Sequence, residues 1–392
     1  MLAVHLTLTP LAGAPIRVVR ALAEHTHVEA RLVNLAPDAY GMRTFEEDLA
    51  WARDAEEAME LVARADVLHL HHPIDLDSAA NPFGVAFRRL LKPGARVLLQ
   101  WHSSPEFVLR CHGDVARAWL ESDAPQATMA QYHERLYPRA RPLPLVVELG
   151  PAPLPAIERE RPLVFFAPST PRSAHAERWE TKGAPEVLRV LRALERRRVL
   201  DVLHVHDVPF ERCRELRRTA DVVLDDVVTG SYHTTTLEAL ADGKAAVAHL
   251  DPRTRVVLAA LARADELPIV DVHLEHLERA LEALATDLAL VREVGALSRA
   301  WMERRYAERD VVAHYVRAYE ELLATGALAP PHDDGHARAR AFLHRDLPDL
   351  AWTARHSAFH PAALGARLRS VARSLRDGSR GSSTVRATEN DA

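Results

Sequence analysis

The amino-acid sequence predicts an α/β protein with two domains, each built on a parallel β-sheet, followed by a helical extension. Three observations support this prediction. Short apolar segments alternate with amphipathic segments in two sets, one before residue 150 and one after residue 160. The length of 392 residues corresponds to two domains of ordinary size. The stretch 139–162 between the two sets is rich in proline, which suits a connection between domains.

The first set of segments predicts a parallel sheet covered by helices on both faces. It contains strands over 2–8 and 28–35, helices over 14–25 and 48–65, and two further apolar runs over 65–73 and 95–106. The last two runs, ADVLHLHHP and ARVLLQWHSSPE, end in polar residues. Because ligands bind at the carboxyl ends of strands in such sheets, these polar ends are placed where chemistry can occur.

The second set predicts a sheet of the same kind. Its segments are strands over 162–170, 199–205, 220–226 and 245–250, and helices over 184–197 and 236–241. From residue 276 the pattern is mainly helical, and 310–323 is strongly amphipathic. We therefore predict an N-terminal domain over 1–155, a C-terminal domain over 156–309, a terminal helix over 310–325 that can return to the first domain, and a helical extension with a disordered tail over 326–392.

Composition narrows the class of protein. Lys and Arg number 50 against 55 Asp and Glu, a formal charge of −5, which provides no overall basic field for nucleic acid. Cys111 and Cys213 are far apart, so we expect neither a disulfide framework nor a cysteine zinc site. No apolar run is long enough to span a bilayer. We expect a cytoplasmic protein, in which the basic stretch 355–380 is a solvated helix or, alternatively, a weak contact with the inner membrane face.

The stretch 220–251 carries the most informative pattern. An apolar strand runs into a loop with Gly230, and a helix begins around Thr235 with Glu238 in its first turn. A helix N-terminus presents free N–H groups and a positive dipole end, so residues 233–236 are a candidate phosphate cradle. Glu238 can accept hydrogen bonds from a pair of sugar hydroxyls. The alternative is a helix cap, in which Thr235 caps the helix and Glu238 closes a capping box.

Two glycine-bearing turns precede other predicted helices. Lys182 and Gly183 stand before the helix over 184–197, where an ammonium can reach a phosphate and a glycine permits close backbone approach. A merely solvated lysine is the alternative. Gly13 lies in a strand–turn–helix segment that suits a diphosphate, a cleft between domains, or a plain turn. That segment contains neither GxGxxG nor GxxxxGK[ST], so neither a dinucleotide fingerprint nor a P-loop is predicted.

The histidines of VLHLHHP support a rival hypothesis, a metal hydrolase. His69 and His71 form an HxH pattern at a strand end, followed by His72, and such a pattern can chelate zinc. The chain contains 22 histidines, however, so pairs are expected by chance, and no fourth ligand is evident. The prediction for a metal is therefore none.

Taken together, the motifs resemble those of GT-B glycosyltransferases of the retaining family 4 group. That family has a KG after the first strand of its C-terminal domain, then ADI-x-V-D, GxYG and EAMAxGKPVI. The corresponding residues here are Lys182-Gly183, the strand ADVVLDD, the loop Gly230-Ser231-Tyr232-His233, and EALADGKAAV beginning at Glu238. The N-terminal PLAGAP is similar to the acceptor-side glycine loop of the family, and WHSSPE to its HGS-x-E/D. The resemblance covers about residues 1–325.

The resemblance implies two Rossmann-like domains facing across a cleft, and transfer of a sugar from a nucleotide-sugar donor with retention of configuration. It implies that Lys182 neutralises the donor diphosphate and that His102 contacts the donor sugar. The donor-binding residues that it implies are Gly13, Gly183, Gly230, His233, Thr234, Thr235, Thr236 and Glu238. The nucleotide-sugar is a substrate, so no cofactor is expected. The acceptor, a glycan, lipid-linked sugar or small molecule, is not identified, and nucleic acid is not expected as a partner.

The sequence departs from the family pattern at two points. The E-x7-E pair of the family lacks its first glutamate here, because that position is Gly230. The second basic residue beside the lysine is unassigned, with Arg172 and Arg178 as candidates. A fold does not guarantee an activity, so two alternatives stay open: a non-catalytic nucleotide-sugar-binding protein and a nucleotide-sugar epimerase on the same fold.

Overall fold

The computed structural model of the protein describes residues 1–39, 48–153, 157–168, 174 and 181–329. These residues all belong to one compact unit, Met1–Pro331. A second unit, His332–Ala392, lies outside the described residues, and so do most of the predicted extension and the basic stretch 355–380. Arg172 and Arg178, the candidates for a second basic residue, also lie outside them.

Seven parallel strands form the sheet of the N-terminal half, in the order β3-β2-β1-β4-β5-β6-β7. They are β1 (Leu2–Thr7), β2 (Glu29–Asn34), β3 (Leu49–Ala50), β4 (Val67–Leu70), β5 (Arg96–Trp101), β6 (Gln126–Met129) and β7 (Ala140–Leu143). The sequence patterns predict β1, β2, β4 and β5, but miss the other three, which have only two to four residues each. Pro142 is compatible with β7 because that strand lies at the edge of the sheet.

Three helices of the N-terminal half pack against this sheet: α1 (Ala14–His25), α2 (Trp51–Arg64) and α3 (Pro105–Glu121). The chain enters α1 through Gly13, whose φ of 78° lies in the left-handed region that glycine adopts readily. The Ser104 hydroxyl accepts a hydrogen bond from the Phe107 N–H and caps α3. Both helix starts therefore lie just after the carboxyl end of a central strand.

Five parallel strands form the sheet of the C-terminal half, in the order β12-β11-β10-β8-β9. They are β8 (Leu163–Phe166), β9 (Asp201–His204), β10 (Val222–Leu224), β11 (Ala245–Ala248) and β12 (Ile269–Asp271). The order reverses between β8 and β10, and in open sheets ligands bind at such switch points. The loops after β8 and β10, which carry Lys182 and His233, both begin there.

The remaining helices are α4 (Ala184–Arg196), α5 (Phe210–Thr219), α6 (Thr234–Ala241), α7 (Pro252–Ala262), α8 (Leu277–Ala285), α9 (Leu288–Arg305) and α10 (Glu308–Thr325). The last helix, α10, packs on α1 of the N-terminal half and buries Tyr315 and Tyr319 against its sheet. One hydrophobic core contains residues from both halves, among them Leu22 and Phe165. The domain limits named from the sequence stay a prediction.

The chain is thus an α/β protein of two Rossmann-like domains that face across a cleft. The carboxyl ends of both sheets contribute to this cleft: the Ser231 hydroxyl donates to the Gln131 carbonyl at 2.8 Å, and Arg253 pairs with Glu134. Among the described residues, no helix is both long enough and apolar enough to cross a membrane.

Candidate functional site

The C-terminal edge of the cleft contains a buried ion pair. Lys182 Nζ lies 2.6 Å from Asp225 Oδ1, and 3.5 Å from the carbonyl oxygen of Ala167. The Lys182 side chain is 10% exposed and that of Asp225 is fully buried. Burial raises the pKa of Asp225, but the Lys182 ammonium, together with His233 and the Thr236 hydroxyl, outweighs burial and holds that pKa well below its usual range. Lys182 is therefore not a solvated surface lysine.

The same carboxylate also anchors the start of α6. Asp225 Oδ2 accepts the His233 N–H at 3.0 Å and the Thr236 hydroxyl at 2.5 Å. Asp226 accepts the N–H groups of Val228 and Thr229, and its Oδ2 lies 3.1 Å from His233 Nε2. Two adjacent aspartates at the end of β10 thus fix the loop and the first turn of α6. Lys182 and the predicted cradle over 233–236 converge on one anion, which is the Asp225 carboxylate.

Glu238 binds two arginines. Arg17 of α1 donates to Oε1 at 2.6 Å, and Arg217 of α5 donates to Oε2. Burial raises the pKa of Glu238, and the two guanidinium groups, Arg217 more than Arg17, bring it below its usual value. The capping-box alternative is wrong, because the cap residue of α6 is His233 and α6 has no side-chain cap. Sugar hydroxyls would have to displace an arginine to reach this carboxylate.

A cavity of about 260 Å³ opens beside this carboxylate, between the two halves of the chain. Its wall includes Arg17 and Arg20 from α1, Arg214 and Arg217 from α5, and the connecting segment 148–150. The Arg17 guanidinium also lies over the Phe210 ring, 5.3 Å from its centroid. Charged groups of both signs and one aromatic ring therefore surround a space into which Glu238 also faces.

Gly183 and Gly230 occupy positions that exclude a side chain. Gly183 immediately precedes α4 with φ of 61°, and a Cβ there would lie 2.9 Å from Val228 Cγ2. Gly230 has φ of 84°, and a Cβ would lie 3.0 Å from the Cβ of Asp251. The missing first glutamate of the family motif therefore has a local cause: at position 230 a side chain would be strained and would collide with Asp251.

The N-terminal edge of the cleft is polar but largely uncharged. His102 follows β5 and is only partly exposed. Tyr137 donates to the carbonyl of Ser103 at 2.5 Å. The N–H of Leu8, in the loop that leads to Gly13, donates to His72 Nδ1 at 3.1 Å. The glycine loop and the histidine tip of β4 are thus fastened to each other.

The three histidines His5, His69 and His71 are fully or almost fully buried, with ligand atoms within 4.8 Å of one another. Their rings do not point at a common centre: His69 and His71 stack with an angle of 18° between planes, and His5 and His71 with 21°. His5 Nδ1 and His71 Nε2 are 2.9 Å apart and bonded to each other. We assign no metal site here, because imidazoles that share a metal aim their nitrogens at it.

The structure brings the predicted residues to two facing edges. Lys182, Gly183, Gly230, His233–Thr236 and Glu238 lie on the C-terminal edge, and Gly13 and His102 on the N-terminal edge. Sequence analysis missed Arg17, Arg217, Asp225 and Asp226 as members of the site. Two of these, the aspartates, stand in the quoted strand ADVVLDD, whereas nothing local in the sequence singles out either arginine. The roles assigned to the predicted residues stay predictions.

Comparison with solved structures identifies the fold. No family model matches the chain, and no curated protein matches it. An α-glucosyltransferase, in complex with UDP and a 13-mer DNA containing an HMU base, superposes with a TM-score of 0.55 at 11% identity, over 82% of this chain and 99% of that chain. The Thermobaculum terrenum O-GlcNAc transferase, as a mutant, gives 0.50 at 17% identity, over 83% of this chain and 69% of that chain. The architecture is that of the GT-B glycosyltransferases.

Proposed function

We propose that this protein is a glycosyltransferase that moves a sugar from a nucleotide-sugar donor to a hydroxyl acceptor, with retention of configuration. The single observation that carries the proposal is the convergence of Lys182 and the start of α6 on one buried carboxylate, Asp225. A cation and a helix N-terminus that face the same point form an anion site. The donor diphosphate is the anion that a GT-B fold would bring to this edge.

The chemistry follows from the charge of the leaving group. When the bond between sugar and phosphate breaks, negative charge grows on the diphosphate. In the proposed reaction Lys182 and the first-turn N–H groups of Thr234 and Thr235 stabilise that charge, and preorganised groups of this kind supply much of the rate enhancement in many enzymes. Gly183 admits the phosphates close to the backbone. In this scheme neither a metal nor a cofactor is required, and the nucleotide-sugar is consumed as substrate.

Retention fits the absence of a carboxylate at position 230. Because Gly230 leaves no room for a side chain, no nucleophile is offered from the position of the first family glutamate. Attack on the same face of the sugar, with the donor phosphate accepting the proton of the hydroxyl, needs no such group. Glu238 is proposed to bind the ribose hydroxyls after one arginine withdraws, and His102 to contact the sugar from the opposite edge.

A thermal-shift screen tests donor binding directly. Nucleoside diphosphates and their sugars are added to the full chain, and the rise in Tm on ligand addition is measured. Lys182→Met alone would leave Asp225 buried and unpaired, so the test variant is the double change Lys182→Met with Asp225→Asn, which removes both charges. Lys244→Met is the matched control, since this lysine lies at the far end of α6, after Gly243.

At least one nucleoside diphosphate is expected to raise the Tm of the wild type and of Lys244→Met, and not that of the double variant. No rise with any nucleotide, or an equal rise in the double variant, contradicts the proposal. Hydrolysis of the bound nucleotide-sugar separates an enzyme from a binding protein, the alternative that the missing glutamate favours. The acceptor panel includes glycans, lipid-linked sugars and DNA, because the solved α-glucosyltransferase is bound to DNA.

A further inference from the structure

A continuous row of hydrogen bonds leads from the cleft into the N-terminal sheet. His102 Nε2 lies 2.8 Å from His71 Nδ1, and His71 Nε2 lies 2.9 Å from His5 Nδ1. His5 Nε2 lies 3.2 Å from the Tyr319 hydroxyl, which lies 2.7 Å from His69 Nδ1. Five side chains, from β1, from β4 and the residue after it, from the residue after β5, and from α10, are therefore connected end to end. We call this row the histidine chain.

The imidazoles of the histidine chain are neutral at pH 7. Burial lowers the pKa of His5 and of His102 to about 3, and it lowers those of His69 and His71 well below the usual value. A neutral imidazole carries one hydrogen and one lone pair, and a hydroxyl donates once. If the Tyr319 oxygen accepted from both His5 and His69, its own buried hydrogen would have no acceptor within the described part of the chain. The hydrogens of the histidine chain therefore all point the same way, either inward from His102 or outward toward it.

A backbone carbonyl decides between these two directions. The Tyr315 hydroxyl donates to the carbonyl of Pro144 at 2.9 Å, and a carbonyl can only accept. With its hydrogen committed, the Tyr315 oxygen must accept from the Gln100 side chain, 3.2 Å away, so the amide nitrogen is the atom that faces it. The same nitrogen also contacts Met129 Sδ at 2.9 Å. The Gln100 oxygen, Oε1, therefore points away from the Tyr315 hydroxyl.

The Gln100 side chain lies near the inner end of the histidine chain, because it bonds to Tyr315, whose ring centroid is 6.3 Å from that of His69. Gln100 Oε1 and His69 Nε2 are both buried, and neither completes a hydrogen bond of ordinary geometry. His69 pairs in register with Leu98 of the neighbouring strand, so Gln100, two residues further along that strand, projects from the same face of the sheet. A hydrogen on His69 Nε2 offers a donor to the acceptor Gln100 Oε1. A lone pair on His69 Nε2 would instead set two buried acceptors beside each other, and unpaired buried polar atoms are costly.

The position of the hydrogen on His69 then fixes the position of the hydrogen in each successive bond, from His69 out to His102. With its hydrogen on Nε2, His69 accepts from Tyr319 at Nδ1, and the Tyr319 oxygen accepts from His5 Nε2. His5 Nδ1 accepts from His71 Nε2, and His71 Nδ1 accepts from His102 Nε2. His102 therefore carries its hydrogen on Nε2 and a lone pair on Nδ1. Nδ1 makes no hydrogen bond with any part of the chain that the structure describes, and the residue is partly exposed.

We propose that the Pro144 carbonyl, acting through Tyr315, Gln100 and the histidine chain, locks His102 as the tautomer that accepts a hydrogen bond at Nδ1 from a substrate hydroxyl. His71, His5, Tyr319 and His69 are positioning residues. The role of His102 rests on the proposed function, but its tautomer does not. Because the pKa of His102 is low, its imidazole orients the substrate hydroxyl but does not hold the proton that this hydroxyl loses. In the proposed reaction that proton passes to the donor phosphate, so orienting the hydroxyl is the role that remains for His102.

Nitrogen NMR of the wild-type chain labelled with ¹⁵N-histidine tests the tautomer without donor, acceptor or turnover. Ring nitrogens with and without hydrogen have well-separated shifts, and loss of one spin system in His102→Asn assigns the residue. At pH 7 we expect a protonated Nε2 and an unprotonated Nδ1 on His102. A hydrogen on Nδ1, or two tautomers in comparable amounts, overturns the proposal. The readout is separate from nucleotide binding, so either proposal can fail alone.

Tyr319→Phe tests whether the histidine chain is what fixes the tautomer of His102. This change removes the hydroxyl that links His5 to His69, so the direction is no longer transmitted, and a second tautomer of His102 is expected to appear. Tyr306→Phe is the matched control, a buried tyrosine that stacks on Trp301 outside the histidine chain. It is expected to leave the His102 signals unchanged. An unaltered His102 in Tyr319→Phe, with the fold retained, contradicts the proposal.

Discussion

The two edges of the cleft satisfy buried polar groups in opposite ways. On the N-terminal edge, neutral imidazoles and tyrosine hydroxyls bond to each other, and burial keeps the pKa of His5 and His102 at about 3. On the C-terminal edge, full charges are paired, as in Lys182 with Asp225, and the cations hold carboxylate pKa values down. Equivalent ends of two similar sheets thus present a network of neutral groups and a set of paired charges.

The difference shows that one fold can satisfy buried polar groups in two ways with different electrostatic consequences. A neutral network has a direction but no net charge, so it can orient an uncharged group. A set of ion pairs supplies strong local potential and can exchange one anion for another. The bond between Arg17 and Glu238 connects the two regions, which are separated by 221 residues in sequence. Each prediction below tests one side of this comparison against the other.

The largest effect is expected from Glu238→Gln. The change leaves Arg17 without its anion, whereas Arg217 keeps Asp242, and both arginine side chains are more than nine-tenths buried. Removing one partner of a buried pair costs about 3–5 kcal/mol in the free energy of unfolding, because an uncompensated buried charge remains. Urea denaturation at pH 7 measures the difference.

The matched control is Glu215→Gln. Glu215 pairs with Arg212 on α5, but both side chains are more than half exposed. Solvent screens such a pair, so we expect the free energy of unfolding to change by less than about 1 kcal/mol. Equal losses in the two variants would mean that the Glu238 cluster is no more stabilising than a surface ion pair.

The second prediction concerns acid and the N-terminal edge. The pKa of His5 falls from 6.5 in the unfolded chain to about 3 in the fold, so between these values the unfolded state binds the extra proton. The free energy of unfolding therefore decreases as the pH falls below 6.5, by about 1.4 kcal/mol per pH unit for each such histidine. Carboxylates with lowered pKa, such as Asp225, add to the loss only below about pH 4.

Denaturation between pH 7 and pH 5 measures this slope. His5→Leu is expected to reduce it by the contribution of one proton, whatever its effect on stability at pH 7. His27→Gln is the control, because His27 is 66% exposed and lies outside the histidine chain. If the slope of His5→Leu equals that of the wild type, His5 is not kept neutral by the fold, and the contrast between the two edges fails.

The smallest effects are expected from changes at the two glycines that immediately precede helices at the cleft. Gly13→Ala and Gly183→Ala both place a side chain in the left-handed region, which costs about 1–2 kcal/mol. In Gly183→Ala the new Cβ also meets Val228 Cγ2 at 2.9 Å, so its loss of stability is expected to exceed this backbone cost. Thermal unfolding of the two variants measures both losses. A loss in Gly183→Ala that is smaller than the backbone cost would contradict the close contact with Val228.

Much of the fold can be predicted from the sequence. The patterns predict β1, α1 and α4 to within about one residue at each end, because these segments have a strong period and clear turns. Lys182 and Gly183 are correctly placed just before α4 for the same local reason. The strands β6 and β7 are missed, because four residues that include polar side chains or a proline carry too little periodic signal.

The candidate site is less predictable, because its members meet only through the fold. Glu238 can be recognised from its motif, but its partner Arg17 lies in another domain with no motif around it. In the same way, His69 and His71 are visible as an HxH pattern, which sequence alone associates with a metal. Tyr319, whose hydroxyl instead bonds to His69, is 250 residues away from it.

By itself, the sequence determined the two alternating sets of strands and helices and the identity of the residues at each strand end, because hydrophobic period and turn chemistry are local properties. Only the tertiary structure decided what those residues bind. It gave Asp225 a cation, Glu238 two arginines and His102 a row of neutral imidazoles. The reason is physical: the charge state and hydrogen-bond direction of a buried group depend on the neighbours that fold around it, wherever they stand in the chain.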